Sequence, residues 1–258
     1  MLTNLIQNIC NYYILIEMNI AVILAGGSGT RIGAGKPKQF IEILGKPIIA
    51  YTLERFQQNA NVDAIEVVCI PSHKEEIKSI VEQYGISKVR WYTDGGATFQ
   101  ESTMNGIYHL RGKVDRDDVL LLHFAVSPLT SDEIIDDAIR VAKEKGNAFP
   151  ADEMIMCTCI KDTPDSSHTE ILRETIVGLN GPWTFKYGDV LSVYEECERR
   201  GMLNTLDPHT SALYFALGKT IYFSKSATNN IKITRKEDLD MFEGYLMLQE
   251  KRKQSINK

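Results

Sequence analysis

The chain has 258 residues, the size of one large α/β domain or two small ones. Hydrophobic residues at 43% and charged residues at 24% exclude a disordered chain. With 29 basic against 34 acidic residues the net charge is −5, which excludes bulk nucleic-acid binding but leaves room for a local basic site holding one anion.

The opening segment is apolar but interrupted by Asn4, Gln7, Asn8, Asn11 and Glu17. It has neither a basic start nor a small-residue cleavage site, so a signal peptide is not expected. No apolar run reaches the ~20 residues of a transmembrane helix, and no membrane partner is expected. The preferred reading starts the domain at Met18 and treats 1–17 as an upstream extension; a surface amphipathic helix is the alternative. Five cysteines, Cys10, Cys69, Cys157, Cys159 and Cys197, lie mostly in apolar strand-like runs and read as reduced core thiols of a cytoplasmic protein.

From there short apolar strands alternate with amphipathic helices. Strands are predicted at 20–24, 64–70, 89–92, 119–123, 154–160 and 220–223. One helix opens on a Ser72/Glu75 capping box, buries Ile77, Ile80, Val81 and Tyr84, and stops at Gly85. A second opens on Thr130/Glu133 and closes near Gly146, and the last opens on Thr234/Glu237. This alternation predicts βαβ units, a mostly parallel sheet with helices on both faces, and a ligand at the carboxyl ends of the strands. The polar, less periodic stretch 162–180 reads as an inserted arm. One domain is expected over 18–250, with the arm at about 161–181 and a frayed tail at 251–258.

The most informative stretch is Leu24-Ala25-Gly26-Gly27-Ser28-Gly29-Thr30-Arg31, continuing to Pro37-Lys38-Gln39. Glycines directly after a buried first strand let backbone N–H groups approach a polyphosphate. The dinucleotide fingerprint G-x-G-x-x-G fails, because Ile32 stands where its third glycine belongs. The Walker pattern fails as well, since Gly35-Lys36 is followed by Pro37. What remains is a loop with two cations, Arg31 and Lys38, suited to the charge that builds on a phosphoryl group. For the glycines alone a plain solvated turn is an equal reading; the spacing of Arg31 and Pro37-Lys38-Gln39 argues against it.

The pattern L-A-G-G-x-G-x-R-x-G-x-x-x-P-K-Q resembles the nucleotidyltransferases with a glycosyltransferase-A-like, Rossmann-like fold. Within them it is similar to the 2-C-methyl-D-erythritol 4-phosphate and ribitol-5-phosphate cytidylyltransferases. Asp94-Gly95-Gly96 with Ser102 and Asn105-Gly106, Pro128-Leu129, and Asn230-Ile231-Lys232-Ile233-Thr234 extend the likeness over about 19–248. The resemblance implies transfer of CMP from CTP to a small phosphorylated polyol, with release of pyrophosphate. It assigns Leu24, Ala25, Gly26, Gly27, Ser28 and Gly29 to the nucleotide's phosphates and ribose side. Gly95, Gly96 and Ser102 fall around base and ribose. Arg31, Lys38 and Lys232 would stabilise the α-phosphate. Arg173 and Thr234 would meet the substrate, Arg173 from an arm donated across a homodimer. Mg²⁺ is the implied cofactor.

The chain departs from the family at the metal. Where the family reads H-D-x-A-R-P, this chain has His123-Phe124-Ala125-Val126-Ser127-Pro128. The family's T-D-[DE]-A-S becomes Pro208-His209-Thr210-Ser211-Ala212, Phe99 replaces an arginine, and a T-P-Q turn becomes Gly181-Pro182-Trp183. Phenylalanine offers no oxygen to a hard cation. Asp207 and His209 are the remaining metal candidates; a loop histidine bonded to backbone is the plainer reading of His209, and a ligand for Zn²⁺ or Mn²⁺ the other. His123 reads as a buried strand end, Trp183 as packing for the arm with lining of the substrate pocket as the alternative, and Cys157 and Cys159 as strand residues sharing a face rather than metal ligands. The leading hypothesis is an active cytidylyltransferase. Its rivals are a nucleotide-binding partner or regulatory subunit without transferase activity, and a transferase using another base. Lys38, as a loop residue, is expected to tolerate alanine without loss of fold.

Overall fold

The computed structural model describes residues 17–27, 36–203 and 205–256. The expectations for the leader and for Ser28, Gly29 and Arg31 lie outside the described residues. The first strand, β1 (Asn19–Ala25), is buried along its whole length and alternates its side chains between two cores. Ala21 and Ile23 face one side, Ile20 and Val22 the other, as a strand covered on both faces requires. After a short ribbon of β2 (Glu42–Ile43) and β3 (Lys46–Pro47), the chain adds β4 (Ala64–Cys69), β5 (Val89–Asp94) and β6 (Val119–Phe124). These follow the predicted strands to within about two residues at each end.

Beyond β6 the core strand is β7 (Asn147–Glu153), not the predicted 154–160. The apolar run at 154–160 belongs instead to the arm, where β8 (Thr158–Ile160) pairs antiparallel with β9 (Thr169–Ile171). Cys157 and Cys159 are therefore exposed, and only Cys69 and Cys197 among the described cysteines are core thiols. β10 (Val177–Leu179), β11 (Trp183–Lys186) and β12 (Phe223–Ser224) complete the sheet. Its order is β10-β7-β11-β6-β1-β4-β5, with β12 paired to β7. β6, β1, β4 and β5 are parallel, while β11 runs antiparallel between β6 and β7.

The helices Ile48–Gln58, Lys74–Gln83 and Asp132–Lys145 cover one face through Leu53, Phe56, Ile77 and Ile135. Phe99–His109, Tyr187–Arg199 and Thr210–Ala216 cover the other through Ile107, Val190, Tyr194 and Leu213. The last helix, Lys236–Ile256, adds a smaller core in which Phe242 meets Ile48 and Ile233; it runs through most of the tail expected to fray. Gly146 (φ 92°) closes its helix in the left-handed region as predicted, donating to Ala142 O at 2.8 Å.

The helix starts are less well predicted. Pro71–His73 forms a 3₁₀ turn ahead of the second helix, so Ser72 caps nothing. Ser131, not Thr130, caps the third, because Thr130 is drawn inward to hydrogen-bond Asn230. Asp238, not Glu237, accepts the N–H groups of Thr234 and Arg235 at the start of the last helix.

β1 is followed by β4 on one side and neighboured by β6 on the other, so chain connections diverge at the β1/β6 boundary. Such a switch point leaves a crevice at the strands' carboxyl ends.

Candidate functional site

A cavity of about 440 Å³ opens at that crevice. Its floor comes from the ends of β1 (Leu24, Ala25) and β6 (Phe124, Ala125), and Gly26 and Gly27 continue one rim. Facing them, Gly96 leads into the helix Phe99–His109, whose cap is Thr98: its hydroxyl accepts Glu101 N–H at 3.0 Å. Ser102 fills the space between the two turns. Its hydroxyl accepts Gly96 N–H at 3.0 Å and donates to Thr98 O at 2.9 Å. A methyl group on Gly26 or Gly95 would lie 3.2 or 3.1 Å from that hydroxyl, so both glycines are needed for this close approach. Gly95 supports the turn, donating to Cys69 O at 2.8 Å, and does not line the cavity; Gly96 and Ser102 do.

Lys38 and Lys232 enter the cavity from segments far apart in sequence. Pro37 leads into a one-turn 3₁₀ helix, Lys38–Phe40, that turns Lys38 inward. Its side chain is buried, and its ammonium donates to Ile233 O at 2.9 Å. That corrects the expectation that this lysine lies outside the core. Gln39 beside it is buried and donates to Ala25 O at 2.9 Å, tying the turn to β1. Ile233 N–H in turn bonds Val126 O at 2.9 Å, so one residue links the lysine turn with the loop after β6. Thr234 lines the same wall, its hydroxyl donating to Lys232 O.

The Lys232 ammonium lies 3.4 Å from the ring centre of Phe124 and 5.7 Å from that of Phe99. The two rings are stacked, with centroids 5.4 Å apart. Trp183 meets Phe124 edge-on at 5.4 Å, and His209 closes the cluster 5.5 Å from Trp183 and 5.9 Å from Phe99. Such contacts add about 0.5–1.5 kcal/mol each beyond burial. A second cavity of about 320 Å³ shares Phe124, His209 and Lys232 with the first. Asn180, Ser211 and Asn230 supply its polar wall, and Trp183 and Leu179 its apolar one. Trp183 is packing, as expected, but it also lines this chamber; its buried indole N–H has no hydrogen-bond partner among the described residues.

His123 is buried as predicted. Burial holds its imidazole down at about 4, against a weaker upward pull from the bond to Ser127, so the ring is neutral at pH 7. Its Nε2 is 2.9 Å from Ser127 O. A carbonyl only accepts, so Nε2 carries the proton. The ring thereby shapes the loop after β6, and Thr130 and Asn230 extend the network to Gly181 O.

No Asp or Glu lines the first cavity, and among the described residues no group of three or more His, Cys, Asp or Glu side chains could hold a metal ion. Residues 28–35 contain none of those four types. Asp207 and His209 engage each other: the Asp207 carboxylate pairs with His209 Nδ1 and also accepts His209 N–H at 3.0 Å. The partner of the His209 ring is thus a carboxylate, not backbone. His209 borders both cavities and Asp207 borders neither. With no carboxylate in the cavity, the donor set does not fit Mg²⁺, which proteins hold through one or two carboxylates. Arg173 sits on the arm, donating to Ile155 O at 3.1 Å, outside the lining of both cavities.

Of the predicted site, Leu24, Ala25, Gly26, Gly27, Lys38, Gly96, Ser102, Lys232 and Thr234 are thus brought together. Sequence reasoning missed the functional placement of Phe99 and Phe124. The signal was present: both stand where the family pattern carries a charged residue.

Comparison with known proteins gives a consistent picture. The sequence profile of the 2-C-methyl-D-erythritol 4-phosphate cytidylyltransferase family matches residues 19–248. A ribitol-5-phosphate cytidylyltransferase of Lacticaseibacillus paracasei is 34% identical, covering 89% of this chain and 98% of the relative. A 2-C-methyl-D-erythritol 4-phosphate cytidylyltransferase of Clostridium acetobutylicum is 32% identical over 86% of this chain and 94% of its own. In fold the chain is similar to the crystal structure of 4-diphosphocytidyl-2C-methyl-D-erythritol synthase from Anaerococcus prevotii. The TM-score is 0.77 at 23% identity, covering 90% of this chain and 96% of that one.

Proposed function

Since the chain belongs to the 2-C-methyl-D-erythritol 4-phosphate cytidylyltransferase family, we propose that its cavities hold CTP and a five-carbon polyol phosphate, ribitol 5-phosphate or methylerythritol 4-phosphate. It is a cytidylyltransferase, and its product is a precursor for a polysaccharide or an isoprenoid. A phosphate oxygen of the polyol phosphate attacks the α-phosphorus of CTP. The new P–O bond forms as the α–β bridging bond breaks, and the electron pair leaves with pyrophosphate. No side-chain nucleophile is needed; positioning and charge neutralisation carry the reaction.

The observation that carries this reading is the convergence of the glycine turn with Lys38 and Lys232 at the β1/β6 crevice. The amides of the turn, Ser28 and Gly29 included, take the phosphates, with Arg31 the third cation. Gly96 and Ser102 support the base and ribose side. The second cavity, reached past Lys232, takes the polyol, where Asn180, Ser211 and Asn230 suit hydroxyl groups. The degenerate, inactive reading is not favoured, because both lysines converge on one cavity.

A homodimer formed through the arm is part of the proposal, with Arg173 reaching the substrate of the partner. Ile155, Met156 and Leu172 on the arm are 71%, 73% and 63% exposed, an apolar surface that a second copy would bury. Among the described residues no helix is long and apolar enough to cross a membrane; a cytoplasmic location is proposed from the reduced thiols. The test is pyrophosphate release from CTP, UTP, ATP and GTP against both polyol phosphates. Release with CTP and one polyol phosphate is expected; nucleotide binding without release under every pairing would refute the transferase.

A further inference from the structure

The aromatic cluster between the two cavities carries an inference that rests on the CTP reading above. We propose that Phe124, with Phe99 stacked on it, is a positioning residue that holds the Lys232 ammonium as a fixed cation at the triphosphate, in place of a protein-bound divalent ion.

Three observations converge on it. The cavity that would take a nucleoside triphosphate has no carboxylate in its lining, and residues 28–35 bring none. The ammonium of Lys232 stands over the Phe124 ring at 3.4 Å and within 5.7 Å of Phe99. The rings themselves are immobilised, Phe124 by the Trp183 edge and Phe99 by the His209 ring. An aromatic face attracts a cation through its quadrupole without cancelling the charge, whereas a carboxylate would present a phosphate with a neutral pair. A ring therefore fixes the position of a lysine without itself neutralising its charge. Fixed positive charge that needs no reorganisation is what a developing phosphoryl charge requires. A divalent ion in this family is an expectation from relatives; this cavity supplies it no carboxylate.

The experiment is calorimetry of CTP binding to the full chain, in EDTA and in Mg²⁺. Wild type is expected to bind CTP in both, with affinities within about threefold. A loss of more than tenfold on chelation would overturn the proposal while leaving the cytidylyltransferase intact. No CTP binding in either condition would instead remove the functional reading itself. Phe124→Leu keeps the apolar contact and removes the π face, so CTP affinity in EDTA is expected to fall roughly 2- to 30-fold. Phe124→Tyr is expected to restore it to within about twofold. Equal affinity for wild type and Phe124→Leu would remove the seat. Near-UV circular dichroism of each variant establishes the fold, and the wild-type chelation result stands even if a variant fails to fold.

Discussion

Replacing Lys38 by methionine keeps most of the side-chain stem in its buried channel and removes only the ammonium. Two effects follow, and they are separable. The ammonium donates to Ile233 O at 2.9 Å in a buried setting. A bond from a charged donor contributes about 1.5–3 kcal/mol, and its loss leaves that carbonyl unpaired, so stability should fall by about that amount. The second effect is on the reaction. Lys38 lines the cavity proposed for the triphosphate, and removing one preorganised electrostatic group of this kind typically costs about 2.7–4 kcal/mol of transition-state stabilisation, or 10²–10³ in kcat. A domain with a margin of ~5–15 kcal/mol remains folded after the first effect, so the second is measurable on native protein. Urea unfolding followed by fluorescence reads the first, and continuous pyrophosphate release with CTP and ribitol 5-phosphate the second. A Lys38→Met enzyme that keeps kcat within about threefold of wild type would refute the charge role assigned to this lysine. Unchanged stability would refute the buried hydrogen bond.

Glu66 gives a pH prediction. Burial pushes its carboxyl up from 4.5 to about 8 against the opposing bond from Thr93, and burial also lowers His109, so their 2.6 Å contact is a neutral hydrogen bond at pH 7 and not an ion pair. The native state then holds a proton that the unfolded chain loses above about 4.5, so Glu66 makes stability fall as pH rises through that window, by up to about 1.4 kcal/mol per unit. Between pH 5.5 and 7.5 wild type should lose about 2–3 kcal/mol relative to Glu66→Gln in urea unfolding; parallel curves would contradict the raised carboxyl. Gly106→Ala puts a methyl 2.8 Å from Val68 Cγ2 and 3.1 Å from Val22 Cγ1, and thermal melts should show a loss of about 1–3 kcal/mol. Retention of the wild-type midpoint would mean the helix is free to move off the sheet. Ile155→Asp with Leu172→Asp should convert the proposed dimer to monomer in sedimentation velocity; an unchanged sedimentation coefficient would exclude the arm as the interface.

The half of the candidate site built on β1 and Lys38 was legible because its signals are local. A buried strand, a glycine turn and a proline-led lysine lie close together in sequence, and each states its own backbone requirement. The strand after β6 was misplaced for a physical reason. Asn147–Glu153 carries Pro150, Asp152 and Glu153 and reads as a loop, yet it is a sheet strand whose first four residues are buried. The run at 154–160 reads as core, yet its apolar side chains Ile155, Met156 and Ile160 are exposed on the arm. Periodicity reports a hydrophobic surface, not what will cover it. Thr130 reads as a cap because nothing near it in sequence announces Asn230, one hundred residues later, as its partner. The aromatic cluster was legible only as a set of departures: Phe99, Phe124, Trp183 and His209 are scattered along the chain, and their contact is a product of the fold.

The backbone of Ile233 joins Val126 through its N–H and Lys38 through its carbonyl. During synthesis β1 leaves the ribosome early, yet the bond between Lys38 and the Ile233 carbonyl can form only once residue 233 has emerged. Any fragment that stops upstream of that residue would carry the recognisable opening motif without this closure.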